Sequence, residues 1–414
     1  MPKNKISSCI RNNQSFTLVE LLIVIGILAI LTTTIVVVIK PDQVFKQARD
    51  SKRIADLQSV HNGIALFMSM GGTSIGTANT IYVSLPDDAS STCGSYSLPA
   101  PPATYSYSCK TAANYQKVDG TGWIPVNFTQ MAGGSPMAVL PIDPTNSATD
   151  KKYYTYIPGG SWQLAAALES EKYKMGGASD AASKDGGKYP EMYETGNDFS
   201  LLPINYGDTG LKGYWKFDEG GSSATTYDSS GNGNTGTWSG TGTHYTSGKV
   251  GNYAGQFNGT DDYTTSTNSD SLNTPIQEIT ITAWVYSALS QTKEIVEKDA
   301  YYRIRLTNNK LQCAMNTTVS GWHWCTVGAT TMGSTVWNFI TWTYNGSLNS
   351  GKYYINGIDA GTNVASSGNL IPYGSNVTIA KGYSGYFNGY IDDVRIYNRV
   401  LSYAEITALY NATK

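Results

Sequence analysis

From Phe16 to Ile39 the chain is an almost unbroken apolar run. As a helix rising about 1.5 Å per residue it reaches about 36 Å. That exceeds the ~30 Å hydrocarbon core of a bilayer, so the pattern predicts a membrane span. The run ends at Lys40-Pro41 without the small-residue cleavage site that follows a secretory signal. Beyond it the pattern turns amphipathic. Ile54, Leu57, Ile64 and Met68 recur at helical spacing, with Val60 and Phe67 beside them. The helix is expected to continue through Pro41 to about Met70, where Gly71-Gly72 stops it. Such a one-sided stripe needs a head domain to cover it. Short strands are predicted at Ile81–Val83, Tyr153–Tyr156 and Trp162–Leu164. Residues 176–188, rich in Gly, Ala, Ser, Asp and Lys, read as a flexible surface loop.

From Gly213 the texture changes to alternating strands separated by Gly/Asn/Ser turns. Tyr214–Phe217, Ile279–Tyr286, Trp337–Tyr344 and Val377–Ala380 all alternate, and Asn356-Gly357 is a strong hairpin turn signal. Many short strands at this spacing predict an antiparallel sandwich or jelly roll. Ser402 and Glu405 form a capping box that starts a short terminal helix through Tyr410.

Composition narrows the class. At 414 residues the chain exceeds one ordinary core. Its net charge of -2 gives no electrostatic footprint for nucleic acid. Of the five cysteines, Cys9 precedes the apolar run, while Cys93 with Cys109 and Cys313 with Cys325 make two sequence-local pairs. An even set of this kind reads as two disulfides in an oxidising compartment. Free thiols in a reducing one are the rival reading. A hairpin centred on Val319 sets Cys313 directly across from Cys325, about 4.5–5.5 Å away at Cα, within disulfide reach.

Glu20 interrupts the apolar run, and a carboxylate at such a depth needs a partner. The stretch Ser15-Phe16-Thr17-Leu18-Val19-Glu20-Leu21-Leu22-Ile23-Val24-Ile25-Gly26 resembles the class III signal of type IV pilins and type II secretion pseudopilins. The resemblance implies cleavage between Ser15 and Phe16 by a prepilin peptidase, then methylation of the new amino terminus. Glu20 would meet the cationic terminus of a neighbouring subunit. The family prefers Gly where this chain has Ser15. Lysines and arginines are also more numerous after the run than before it, the reverse of simple charge counting for this orientation. Leu140-Pro141-Ile142-Asp143-Pro144, the tyrosine run and Gln163–Glu169 look like a pseudopilin head.

A second resemblance covers the C-terminal half. Gly213–Gly220, Asp228–Asn234, Gln256–Tyr263 and Gly389–Arg399, taken in order, look like the LamG-like, concanavalin A-like jelly roll. The expected architecture is therefore α+β followed by all-β. Residues 1–15 form a leader, 16–70 a long transmembrane and amphipathic helix, 71–205 a pilin-like α/β head, and 211–414 an antiparallel β-sandwich jelly roll. By resemblance Asp218 and Asp392 are candidates for a structural calcium. Asp228, Ser230, Asn232 and Gly233 imitate half of an EF-hand loop, but position twelve is Ser239, so an Asx turn is the simpler reading. Asp143 and Asp198 read as solvated loop carboxylates.

The jelly roll hosts binders and glycosidases alike. The glucanase signature Glu-x-Asp-x-x-Glu is absent, and Glu294 and Glu297 are expected on opposite faces of a strand. His61, His244 and His323 are scattered, and His323, between Trp322 and Trp324, reads as a strand residue. The expected function is non-enzymatic: a minor pilin or pseudopilin, held in the inner membrane and then displayed on a surface filament. Its jelly roll binds a glycan or a surface protein in adhesion. The alternatives are a cell-envelope glycoside hydrolase on a pilin-like anchor and a purely structural envelope protein.

Overall fold

The computed structural model describes residues 17–288, 290–362 and 367–414, and for 34–39 the backbone alone. Helix α1 runs Leu18–Ile39 and α2 runs Pro41–Ser69. The single helix expected from the periodicity is thus two. Proline disfavours the helical conformation in the residue before it, and Lys40 takes a left-handed φ of 45°. The apolar side chains from Leu18 to Leu31 stand exposed. Over the described residues no helix is long and apolar enough to cross a membrane.

The head is a five-stranded sheet in the order β2-β1-β3-β4-β5. Its strands are β1 (Thr80–Pro86), β2 (Ser106–Lys110), β3 (Tyr154–Pro158), β4 (Trp162–Ala166) and β5 (Tyr193–Gly196). Leu57, Val60, Ile64 and Phe67 of α2 pack on Tyr82, Trp123, Tyr154, Tyr156 and Leu164. The same buried stripe carries charge one turn earlier. Arg53, fully buried, donates Nε to Asp143 and Nη1 to Asp50 (2.8 Å) and Glu169 (2.5 Å). Asp143 is therefore a buried ion-pair partner and not the solvated loop residue its sequence context suggests. Residues 176–188 are also tied down. Asp180 accepts from Gly176 and Ser183, and Asp185 accepts from the backbone N–H groups of Gly187 and Glu194.

The C-terminal half is a two-sheet antiparallel sandwich. Its first strands are β6 (Leu211–Trp215), β7 (Thr225–Thr226), β8 (Gly236–Ser239), β9 (Tyr245–Ser247), β10 (Tyr253–Asn258) and β11 (Tyr263–Ser266). Then come β12 (Glu278–Tyr286), β13 (Thr292–Lys298), β14 (Tyr302–Thr307), β15 (Lys310–Thr317), β16 (Gly321–Trp324) and β17 (Trp337–Asn345). The last are β18 (Ser350–Ile355), β19 (Ile358–Thr362), β20 (Val377–Ile379), β21 (Lys381–Gly382), β22 (Gly385–Tyr386) and β23 (Asn388–Tyr397), followed by α3 (Tyr403–Thr413). One sheet runs β19-β18-β17-β12-β23-β10-β9, with β6 also on β23; the other runs β16-β15-β14-β13-β20-β11-β8-β7. Asn356 (φ 54°) and Gly357 (φ 75°) turn the β18–β19 hairpin as expected, and Ser402 and Glu405 close their capping box on α3.

The inner faces of the two sheets meet through Ile281, Ala283, Val285, Val296, Ile304, Met315 and Trp342. The first sheet is buried on its other face too. Trp284, Phe339, Tyr354 and Tyr397 join one apolar cluster with Tyr153, Tyr189 and Tyr206 of the head and Ile406 and Leu409 of α3. At this joint Tyr397 Oη donates to Glu191 Oε1 at 2.6 Å, and Asn205 donates to Glu191 Oε2 at 2.6 Å. Arg395, fully buried, pairs with Asp393, donates to Tyr214 Oη at 2.7 Å and lies 3.8 Å from Glu191.

Two outcomes test these joints. Arg395→Met removes the counter-charge of buried Asp393 and Glu191, so urea denaturation of the detergent-extracted chain should show a loss of about 3–5 kcal/mol; a loss under about 1 kcal/mol would refute the role given to Arg395. The second concerns pH. Burial alone would push Glu169 up, but hydrogen bonds from Arg49 and Arg53 outweigh it and hold the carboxyl at about 2. Its stabilising contribution is complete above the ordinary value of about 4.5 and is lost as pH falls towards 2. The melting temperature of the parent chain should therefore drop more steeply across that window than that of Glu169→Gln. Parallel curves would show that Glu169 is not responsible.

Candidate functional site

The sequence-derived positions distribute as follows. Ser15 and Phe16 lie outside the described residues. Glu20 is exposed in the first turn of α1, where its carboxylate accepts from the backbone N–H and hydroxyl of Thr17, both at 2.9 Å. Cys93–Cys109 and Cys313–Cys325 are disulfide-bonded, with Cα separations of 5.2 and 5.1 Å. The β15–β16 register sets Ala314 opposite Trp324 and Thr317 opposite Gly321, as a turn centred on Val319 requires.

Asp218 and Asp392 grip the two halves of one segment. Asp218 Oδ1 accepts from the N–H groups of Asn252 (2.8 Å) and Tyr253 (3.3 Å), and its Oδ2 pairs with Lys188 at 3.2 Å. Asp392 Oδ2 accepts from Lys249 (2.8 Å) and Val250 (2.9 Å), while Oδ1 is buried without a partner. Burial, with Asp393 alongside, pushes the Asp392 carboxyl well up. Among the described residues no three His, Cys, Asp or Glu side chains converge as metal ligands. Asp228 accepts from Ser230 at 2.9 Å, the Asx turn expected, and also from Tyr214 and Asn234. Asp198 caps its own loop through Ser200.

The second sheet turns its outer face away from the head, and there the strands assemble a site that local sequence did not reveal. Period-two alternation puts Arg303 and Arg305 of β14 on this face and Ile304 in the core. Trp322 and Trp324 come from edge strand β16. Arg303 lies 4.5 Å from the ring centre of Trp322, 5.6 Å from that of Trp324 and 5.7 Å from that of Tyr383; Arg305 lies 3.5 Å from that of Trp324. The guanidinium groups hold the aromatic side chains in place by cation–π attraction. Trp322 is nonetheless 39% exposed and Tyr383 81%. Asp299, Ala300, Arg303, Trp322, Trp324 and Tyr383 together line a bowl of about 420 Å³. The clue in the sequence was a pair of alternations, Arg-Ile-Arg and Trp-His-Trp, whose proximity depends on non-local pairing. His323 is a strand residue, as expected.

Glu294 and Glu297 also face this side, contrary to the sequence expectation. Glu294 pairs with Arg305 and Val296 with Ile304, so Ile295 is an extra residue, a β-bulge that resets the alternation. Both carboxylates then point at the β21–β22 turn. Glu297 accepts from Tyr383 N–H and Glu294 from Ser384 N–H, each at 2.9 Å. The two groups are almost fully buried, and a side chain at Gly382 would collide with both. They anchor the hairpin that carries Tyr383. Burial pushes Glu297 up to about 7 although Arg303 stands 3.0 Å away.

No curated protein matches the chain. Among solved structures it is similar to domain 4 of AbnA, a GH43 extracellular arabinanase from Geobacillus stearothermophilus in complex with arabinotriose. That likeness has 20% identity, covers 48% of this chain and 98% of the other, and has a TM-score of 0.38. It is also similar to the binding domain of Paraclostridial Mosquitocidal Protein 1, at 20% identity over 49% of this chain and 52% of the other, TM-score 0.41. The receptor binding domain of a botulinum neurotoxin C/D mosaic serotype matches at 12% identity over 49% and 51%, TM-score 0.37. Two family models match the sequence itself. The chain joins a prokaryotic N-terminal methylation motif, the type IV pilin class III signal, at residues 10–36 to a domain of the concanavalin A-like lectin/glucanases superfamily at residues 258–407.

Proposed function

We propose that this chain is a minor pilin or pseudopilin-type filament subunit whose sandwich binds a glycan on the Trp322–Tyr383 platform. The observation that carries the reading is the set of partly exposed aromatic rings locked by Arg303 and Arg305 on the sheet face turned away from the head. Rigid rings stack on sugar faces at little entropic cost. The exposed apolar side chains from Leu18 to Leu31 suit a helix that sits first in the inner membrane and then among its copies in a filament. Prepilin peptidase and fellow subunits are the partners this requires, with display outside the cell.

A glycan array probed with the detergent-extracted chain tests the platform. Trp322→Ala should weaken any array hit by roughly tenfold or more without shifting the melting temperature. An unchanged affinity would move the site elsewhere. Because Glu294 and Glu297 share the platform face, a cell-envelope glycoside hydrolase is the second reading. Release of reducing ends from the array hits, abolished in Glu294→Gln and Glu297→Gln, would establish it in place of simple binding.

Assembly has its own test. The mature protein should begin at a methylated Phe16 by mass spectrometry. Glu20→Ala should still enter the membrane but fail to enter filaments, because the amino terminus of the neighbouring subunit loses its counter-charge. Equal incorporation would remove Glu20 from the mechanism. Calcium is part of the proposal through Asp392 Oδ1, the buried oxygen left without a donor; the oxygens of Asp218 are already engaged, so backbone carbonyls must complete the six to eight ligands calcium takes. Calcium should raise the melting temperature relative to EGTA in the parent chain and not in Asp392→Asn. No rise in either would exclude the ion.

A further inference from the structure

Resting on the glycan reading above, we infer that the platform selects uncharged sugars and that Asp299 is the residue that rejects carboxylated ones. The charged groups lining the bowl are Arg303 and Asp299. Arg303 is spoken for: it stands 3.0 Å from Glu297 beneath it and 3.0 Å from Asp299 at its edge, and only 4% of its side chain is exposed. Arg305 is likewise held, by Gln312 at 2.7 Å and by Glu294 at 3.8 Å. Lys293 points its ammonium at the Ser384 carbonyl behind the hairpin. Two guanidinium groups thus face three carboxylates, Glu294, Glu297 and Asp299, and of these Asp299 is 70% exposed. Among the described residues that line the bowl, an incoming carboxylate finds no unpaired cation and meets the charge of Asp299 at the rim. A sugar hydroxyl finds in Asp299 an acceptor beside the exposed faces of Trp322 and Tyr383. The Nε of Arg303 has no hydrogen-bond partner among the described residues, but it is buried away from the bowl surface and out of a ligand's reach.

Affinity for matched pairs, measured with the full chain in detergent, tests the inference. Suitable pairs are oligogalactosides against oligogalacturonides of equal length, and N-acetyllactosamine with and without terminal sialic acid. The neutral member of each pair should bind at least tenfold more tightly at low salt, and the ratio should shrink at high salt, because exposed charges are screened. Asp299→Asn should bring the ratio close to one while Trp322→Ala lowers both affinities together. This separation tells a specificity role from a structural one. Equal or tighter binding of the carboxylated member, or a ratio unchanged in Asp299→Asn, would overturn the inference and leave glycan binding standing. Binding of neither member would overturn the glycan reading and the inference with it.

Discussion

The joint between head and sandwich depends on burying charge. Glu191 comes from the head; Arg395, Asp393, Tyr214 and Tyr397 come from the sandwich, and water reaches almost none of them. Parting the two halves would strand ionised groups in an apolar setting, which costs several kcal/mol per ion after relaxation. The apolar cluster from Tyr153 to Leu409 closes around the same point. The two halves therefore behave as one body. That constraint fixes what can be a binding surface: the first sheet is covered on both faces, by the second sheet and by the head with α3, so the outer face of the second sheet is the broad strand surface turned away.

The same device recurs between α2 and the head. Arg53 sits on the apolar stripe of α2 and reaches Asp50, Asp143 and Glu169, residues far apart in sequence. An isolated arginine on that stripe would be ruinous; paired, it fixes the rotation of the helix about its own axis. Helix α1 shows no such ion-pair tie among the described residues, and its apolar side chains from Leu18 to Leu31 stand exposed. That exposed apolar surface is the physical reason to propose packing against lipid or other subunits.

Local chemistry made part of this legible in the sequence. The Asn356-Gly357 turn, the Ser402 capping box and the β15–β16 register that joins Cys313 to Cys325 all follow from residues within a few positions of one another. What resisted reading was non-local or depended on one irregularity. Asp143 looked solvated because Arg53 lies ninety residues earlier in the chain. Glu294 and Glu297 looked opposed because alternation assumes an unbroken strand, and one bulged residue at Ile295 undoes it. The Trp322–Arg303 platform requires knowing that β14, β15 and β16 are neighbours, which the pattern of each strand alone does not say. The helix break at Lys40 was legible in principle, since Pro41 announces it.

The Cys313–Cys325 bond also has a mechanical meaning. β16 is an edge strand, hydrogen-bonded along one side to β15. Edge strands peel first when a sheet is pulled, one ladder bond at a time. Trp322 and Trp324 stand on that strand, and Cys325 follows directly after them. Tension applied through Trp324 reaches a covalent staple at the next residue, and through Trp322 three residues on, and from there the neighbouring strand β15. The strand most exposed to load is thereby the one whose separation requires breaking sulfur–sulfur bonding, and a grip formed on it would outlast the hydrogen bonds that shape it.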